Sequence, residues 1–128
     1  MAYEGAQLKL GNLTAGADLS AKQFHFVKLA SATTVDVCSA ITDVPIGVLQ
    51  NTPTSGQAAE VCIFGITKVV ADGNLSAGNI IGTSSDSQAD AIARGTDTTV
   101  TIVGQAIEAG AAGQTVTMFF NPSNALAK

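Results

Sequence analysis

Turn-forming residues recur so closely along this sequence that every apolar stretch between them is short. Within these stretches apolar and polar side chains alternate: in residues 33–38, Val35 and Val37 fall on one side, and Thr34 and Asp36 fall on the other. A period of two residues is typical of a half-buried β-strand. We therefore predict an all-β fold, a small β-barrel or β-sandwich of about seven to nine short strands. Beyond the N-terminal segment, the predicted strands cover residues 22–29, 33–38, 45–50, 58–71, 80–81, 89–93, 99–107 and 115–120.

The longest of these stretches, residues 58–71, contains an interior glycine, Gly65. A glycine inside a strand usually marks a bulge, a bend or the close approach of another backbone. We expect one of these features at Gly65. No stretch has a sustained helical period, and the helix-forming composition of residues 105–112 is bracketed closely by Gly104 and Gly110.

The composition divides the chain into an extended N-terminal arm or first strand (1–21), a β domain (22–120) and a polar C-terminal tail (121–128). The arm carries isolated large side chains among small and polar residues. Two interpretations of it remain open. It is either the first strand of the domain itself or an arm that pairs with another subunit by strand addition. The candidate residues for contact with a partner are Tyr3, Leu8, Leu10 and Leu13.

Charged residues make up 12% of the chain, about half of the usual share. A surface so poor in charge favours association with other molecules. The net charge of −4 and the scattered basic residues argue against direct nucleic-acid binding, which needs clustered Lys and Arg. No apolar run reaches the length of about 18 residues that spans a membrane, and the first residues, MAYEG, lack the pattern of a signal peptide. We expect synthesis in the cytoplasm and no membrane partner.

The residues that usually carry out chemistry are few. His25 is the only histidine, and its neighbours Phe24 and Phe26 favour a strand histidine at a surface or an interface. Cys38 and Cys62 have neither the spacing nor the additional ligands of a zinc site. They could form a disulfide only if their strands are adjacent, and two small thiols packed as hydrophobic side chains are favoured.

Carboxylates are present beside glycine, serine or threonine, where aspartate serves as a turn former. These are Asp72, Asp86, Asp90 and Asp97. We predict no catalytic residue, no metal site and no cofactor, and hence a protein that is not an enzyme.

Several motifs, in this order and spacing, resemble a known family. They are AKQFHFVKL at residues 21–29, PIGVLQN at 45–51, AEV at 59–61 with GITKV at 65–69, LSAG at 75–78 with IGT at 81–83, and VGQAIE at 103–108 with AGQ at 112–114. Together they resemble the small capsid decoration (cement) proteins of tailed bacteriophages. The similarity covers roughly residues 15–120.

The resemblance implies a small β-barrel or β-sandwich on the outer surface of a phage head. It also implies a homotrimer that contacts the major capsid protein and stabilises the junctions between capsid subunits, a role similar to that of the lambda head decoration protein. The localisation would be the virion, after synthesis in the cytoplasm of the host. The family has no catalytic motif, and its pattern does not require the two cysteines.

Two other classes of protein are alternatives for a small all-β chain. A carbohydrate- or surface-binding β module of a virion fibre or adhesin would suit the Ser- and Thr-rich loops, but the chain has no Trp and one Tyr with which to stack a sugar. A carrier domain of the lipoyl or biotinyl type needs a lysine at a hairpin tip, whereas Lys68 lies inside a predicted strand.

Overall fold

The computed structural model describes residues 2–123, 125 and 126, and these residues form nine β-strands and no α-helix. This confirms the predicted all-β class. The strands are β1 Gln7–Ala15, β2 Phe26–Leu29, β3 Thr34–Val37, β4 Gly47–Leu49, β5 Ala58–Val70, β6 Ile80–Thr83, β7 Ala89–Ala91, β8 Gly104–Ala106 and β9 Thr115–Phe120. None of the described residues belongs to a helix long and apolar enough to cross a membrane.

Five strands close on themselves into a small barrel. The pairing order is β1-β3-β2-β4-β5, and β5 also pairs with β1, so this ring has no free edge. The β1–β3 pairing is parallel, and the others are antiparallel. The interior of the ring is filled by a first cluster of buried side chains: Leu13, Ala15, Leu19, Val27, Val35, Leu49, Ala59 and Val61.

The second half of the molecule is built on the other end of the same long strand. Here the order is β5-β9-β8-β6-β7, and a parallel bridge from Ala71 to Ala89 brings β7 back to the end of β5. A second buried cluster fills this half: Phe26, Cys38, Val48, Val69, Ala71, Leu75, Ile81, Ala89, Val103, Ala106, Val116, Met118 and Phe120.

A shared wall of strands separates the two clusters. Phe26 and Val48 belong to the second cluster, whereas the next residue of each strand, Val27 or Leu49, belongs to the first. Successive side chains of a strand point to opposite faces of a sheet. The pairs Phe26–Val27 of β2 and Val48–Leu49 of β4 are therefore buried on both faces of the sheet, which explains why each is a run of two adjacent apolar residues.

Gly65 lies where another backbone approaches β5 closely, as predicted. Its φ angle is +128°, and a Cβ at this position would overlap the carbonyl oxygen of Ala6. Leu8 is opposite Phe64, but Lys9 is opposite Cys62, so one residue of β5 is skipped in the pairing with β1. A bulge and a close approach thus occur together at this point.

Most predicted strands are shorter in the structure, and the segments 22–29 and 99–107 lose the most residues. The segment 22–29 becomes regular only at Phe26, because Phe24 adopts a positive φ of 64°. Both phenylalanines nevertheless pack against the second cluster. In the segment 99–107 only Gly104–Ala106 forms a strand, and Thr101 makes a single bridge to Leu126.

The ends of the chain are paired with the domain as far as they are described. Residues of the predicted arm form β1, whose backbone bonds to β3 and β5 of the same chain. Of the predicted tail 121–128, Asn121 donates to the carbonyl oxygen of Val103, and Ala125 accepts from the amide of Ile102. Met1, Asn124, Ala127 and Lys128 lie outside the described residues.

Candidate docking face

The single histidine packs inside the protein and is not a surface residue, which corrects the prediction for His25. Its side chain is 7% exposed, and Nδ1 lies 2.7 Å from the hydroxyl oxygen of Ser87. Burial is the main reason that the pKa of His25 is lowered, and the nearby charge of Lys22 lowers this pKa further. His25, which follows Phe24, turns inward, and the hydroxyl group of Ser87 is its hydrogen-bond partner there. Ser87 itself adopts a positive φ of 63°.

Both cysteines are buried, unpaired thiols. Burial raises the pKa of Cys38 to about 12, and it also raises the pKa of Cys62. Because the thiolate is the reactive form, these side chains are inert near neutral pH and act as small apolar groups. Within the described part of the chain, no group of three or more His, Cys, Asp or Glu side chains is arranged to hold a metal ion.

Large apolar side chains are exposed together where β1, β5 and β9 meet. Leu8 on β1 lies directly opposite Phe64 on β5, and these side chains are 60% and 46% exposed. The ring of Phe64 meets the ring of Phe119 on β9 edge-on, with 5.4 Å between ring centres. Such an edge-to-face pair is a favoured aromatic geometry.

The N-terminal residues extend this surface across β5 and β9. The amide of Gly5 donates to the carbonyl oxygen of Ile66 at 3.1 Å, and the amide of Tyr3 donates to the hydroxyl oxygen of Thr117 at 2.8 Å. Thr117 and Phe119 are alternate residues of β9 and share a face. Tyr3, which is 51% exposed, therefore lies on the same side of the molecule as the aromatic pair. We call Tyr3, Leu8, Phe64 and Phe119 the docking face.

Of the four candidate contact residues, the structure brings Tyr3 and Leu8 together on this face. Leu10 is partly buried against the first cluster, and Leu13 belongs to that cluster with 4% of its surface exposed. The pairing of β1 with β5 shifts between Leu8 and Lys9 and again between Leu10 and Leu13. The first shift explains why Leu10 packs inward although Leu8, two residues before it, is exposed.

The two phenylalanines of the docking face, Phe64 and Phe119, were not among the candidate residues predicted from the sequence. A signal for Phe119 was present: Phe119 and Phe120 are adjacent in a strand, so one of them must point outward. Phe64 lies beside the irregular Gly65, where the simple alternation is broken.

A cleft of about 490 Å³ adjoins the docking face, because Phe119 lines both. Its other apolar walls include Ile80, Ile102 and Leu126. Arg94, the only arginine of the sequence, stands at this cleft and is exposed. Among the described residues Arg94 makes no hydrogen bond and no ion pair.

A second concavity, also of about 490 Å³, lies on the β2 and β4 side of the molecule. Its lining residues are Lys28, Leu29, Val44, Pro45, Ile46 and Pro122. The cation of this groove is already paired, since the ammonium group of Lys28 lies 3.0 Å from a carboxylate oxygen of Asp43. The groove therefore offers apolar surface without a free charge.

The fold has a counterpart among solved structures. The crystal structure of the N base of the head fiber gp8.5 in bacteriophage phi29 superposes with a TM-score of 0.64 at 18% sequence identity. The match covers 96% of this chain and 99% of that chain. This chain has the fold of that head-fiber base. No family model matches the sequence, and no curated protein matches it.

Proposed function

We propose that this protein is a structural component of a phage head, a capsid decoration protein that binds the outer surface of the shell. The observation that carries the proposal is the likeness to the phi29 head-fiber base over nearly the whole of both chains. The motifs that resemble the decoration proteins lead to the same part of a virion. The partners are the major capsid protein and further copies of this chain in a homotrimer.

The proposed mechanism is mechanical. Packed DNA strains a capsid shell, and the junctions where several capsid subunits meet are its weak points. A subunit that bridges a junction adds buried surface across it, and a standard interface buries roughly 800 Å² on each partner. In a trimer three such contacts act together, so that avidity replaces one strong site.

The docking face is the surface we assign to this contact. It combines four large side chains, none of them charged, from β1, β5, β9 and the segment before β1, as the central part of a protein interface does. Tyr3, Phe64 and Phe119 are aromatic residues, which are enriched at interfaces. A role in binding also fits the packing roles of His25 and of the two thiols, and we propose no enzymatic activity.

The test is co-sedimentation with empty expanded heads assembled from the major capsid protein of the same phage. We expect the wild-type protein to sediment with the heads, and we expect the double variant Leu8→Ala/Phe64→Ala to lose at least tenfold in affinity. The matched control is Leu29→Ala/Val44→Ala, which removes exposed apolar surface from the groove at β2 and β4. Deletion of the N-terminus is unsuitable, because β1 closes the first barrel.

Failure of the wild-type protein to bind the heads would refute the proposed function. Equal losses in the two double variants would refute the assignment of the docking face. Sedimentation equilibrium of the purified protein tests the trimer, for which we expect about three times the chain mass of 12.8 kDa.

The second candidate is a carbohydrate- or surface-binding module of a virion fibre. The observation in its favour is that the matched structure belongs to a head fiber. Binding of the purified protein to a glycan array, with no binding to heads, would favour this candidate over capsid decoration.

A further inference from the structure

The cleft beside Phe119 combines an exposed cation with apolar walls. We propose that it receives a segment of the major capsid protein in which an Asp or Glu side chain lies next to an aliphatic one, with Arg94 pairing the carboxylate. This inference rests on the proposed function and adds to it the chemistry of the partner.

Three lysine side chains of this protein already contact a partner group. Lys9 lies 2.7 Å from a carboxylate oxygen of Glu60, and Lys28 pairs with Asp43. The ammonium group of Lys68 lies over the ring of Phe24, 5.7 Å from its centre. Among the described residues the side chain of Arg94 makes no hydrogen bond or ion pair; that of Lys22 makes none either, but it lies outside the lining of the cleft. An unpaired guanidinium at a concave surface is complementary to an anion, and its planar fork matches a carboxylate.

The overall charge of the chain also affects which partner the cleft favours. The net charge is −4, so an acidic partner meets repulsion over most of this surface. Among the described residues that line the cleft, Arg94 alone carries a charge, so a carboxylate meets attraction there. Charge complementarity of this kind sets orientation and specificity more than raw affinity. Arg94 would therefore fix how the subunit sits on the shell.

Four large apolar side chains line the cleft: Ile80, Ile102, Phe119 and Leu126. These side chains offer burial to an aliphatic group beside the carboxylate. A free inorganic anion or an acidic sugar would leave this apolar surface unused. The lining therefore favours a protein segment.

The cleft is continuous with the docking face. Phe119 belongs to both the docking face and the cleft, so a partner seated on the face reaches the cleft without a gap. Gln105 and Asn121 stand at the cleft as polar groups for the backbone of such a segment. The amide nitrogen of Gln105 donates to the carbonyl oxygen of Gly78, which leaves its side-chain oxygen as an acceptor.

The test measures affinity for the same empty heads at two salt concentrations with four proteins. We expect Arg94→Gln to weaken binding about tenfold at low salt and Arg94→Lys to weaken it less, because lysine keeps the charge and loses the fork. We also expect the salt dependence of binding to be smaller for Arg94→Gln than for the wild type. Lys22→Gln is the control for the change in net charge, since it removes a positive charge away from the cleft.

Urea unfolding checks that the variants keep the wild-type stability, as expected for an exposed side chain without partners among the described residues. Binding by Arg94→Gln that equals wild-type binding would overturn the cleft assignment and leave the proposed function intact. An equal loss in Lys22→Gln would overturn it too, because net charge alone would then explain the effect. If no variant and no wild-type protein binds the heads, both proposals fail.

Two further outcomes would also overturn the inference. If Arg94→Gln changes the oligomeric state of the purified protein, the cleft is a contact between copies of this chain. If the wild-type protein binds sialylated glycans and Arg94→Gln does not, the cleft is a sugar site.

Discussion

At the scale of single residues, His25 shows how a polar side chain can be part of an apolar interior. Its ring is buried beside Phe26 and is held by the hydroxyl group of Ser87. A buried imidazole is more stable neutral than charged, since burial disfavours the charged form. The charged groups that act on it are Lys22, which lowers its pKa, and Asp86, which raises it by less.

This arrangement predicts a pH dependence of stability. Because the pKa of His25 in the folded protein is lower than its ordinary value of 6.5, the unfolded chain binds the proton first as the pH falls. The stability contributed by neutral His25 is thus complete above pH 6.5 and is lost as the pH decreases toward the pKa of the folded state. We expect the free energy of unfolding in urea to fall between pH 7.5 and pH 5.5.

The control is His25→Gln, which cannot take up a proton in this range. The variant is expected to lose on the order of 1 kcal/mol at pH 7.5 through weaker packing and hydrogen bonding, and its stability should change less with pH. Asp90, whose pKa is raised by partial burial and by the charge of Asp72, is present in both proteins and cancels in the comparison. An identical pH slope in the two proteins would contradict the prediction.

At the scale of elements, the long strand β5 determines how the two halves of the molecule are joined. It contributes Val61 to the first cluster and Val69 to the second, with the irregular Gly65 between them. The bulge changes which face of the strand points inward. It also lets the backbone of residues 5–6 run against Ile66, which places Tyr3 on the docking face.

Substitution of Gly65 by alanine tests this role. The positive φ of +128° and the nearby carbonyl oxygen of Ala6 both disfavour a Cβ. We expect Gly65→Ala to lower the free energy of unfolding by on the order of 2 kcal/mol. The matched control is Gly11→Ala on the paired strand β1, where a Cβ would have no neighbour within 4 Å. Urea unfolding of the two variants measures the difference, and equal stabilities would argue against a strained contact at Gly65.

The alternation of apolar residues was enough to predict the class of fold and most of its strands, because a strand with one buried face repeats every two residues. It could not predict the inward turn of Leu10, which alternation places on the same face as the exposed Leu8. That turn depends on the register shifts between β1 and β5, which are properties of two strands paired across the barrel. Local pattern also overestimated the strand at residues 99–107, where pairing with the C-terminal residues interrupts the sheet.

The candidate site was predicted in part for the same reason. Tyr3 and Leu8 stand out in the sequence as isolated large side chains among small ones. Phe64 and Phe119 become neighbours only through the pairing of β5 with β9. The Arg94 cleft is assembled from four separate segments of the chain, and a sequence pattern carries no sign of such an assembly.

At the scale of the whole molecule, the two buried clusters are separated by strands that serve both. Strands β2 and β4 each contribute one side chain to either cluster, and β5 runs through both halves. Because β2 and β4 cover both clusters, unfolding of either cluster exposes one face of these strands. The two halves should therefore unfold as one cooperative unit, as small single domains usually do.

Hydrogen exchange of backbone amides measures this cooperativity. We expect the most protected amides of β3, in the first half, and of β9, in the second, to exchange with the same free energy of opening. Val61→Ala removes packing from the first cluster only, and it should lower both values equally, by on the order of 2 kcal/mol. Leu8→Ala, a change at an exposed position of the docking face, should alter neither. If Val61→Ala lowers the protection of β3 and leaves that of β9 unchanged, the two halves are separate folding units. The docking face, which spans β1, β5 and β9, would then rest on two bodies able to open independently, and it would be a poor structure for bearing load across a capsid junction.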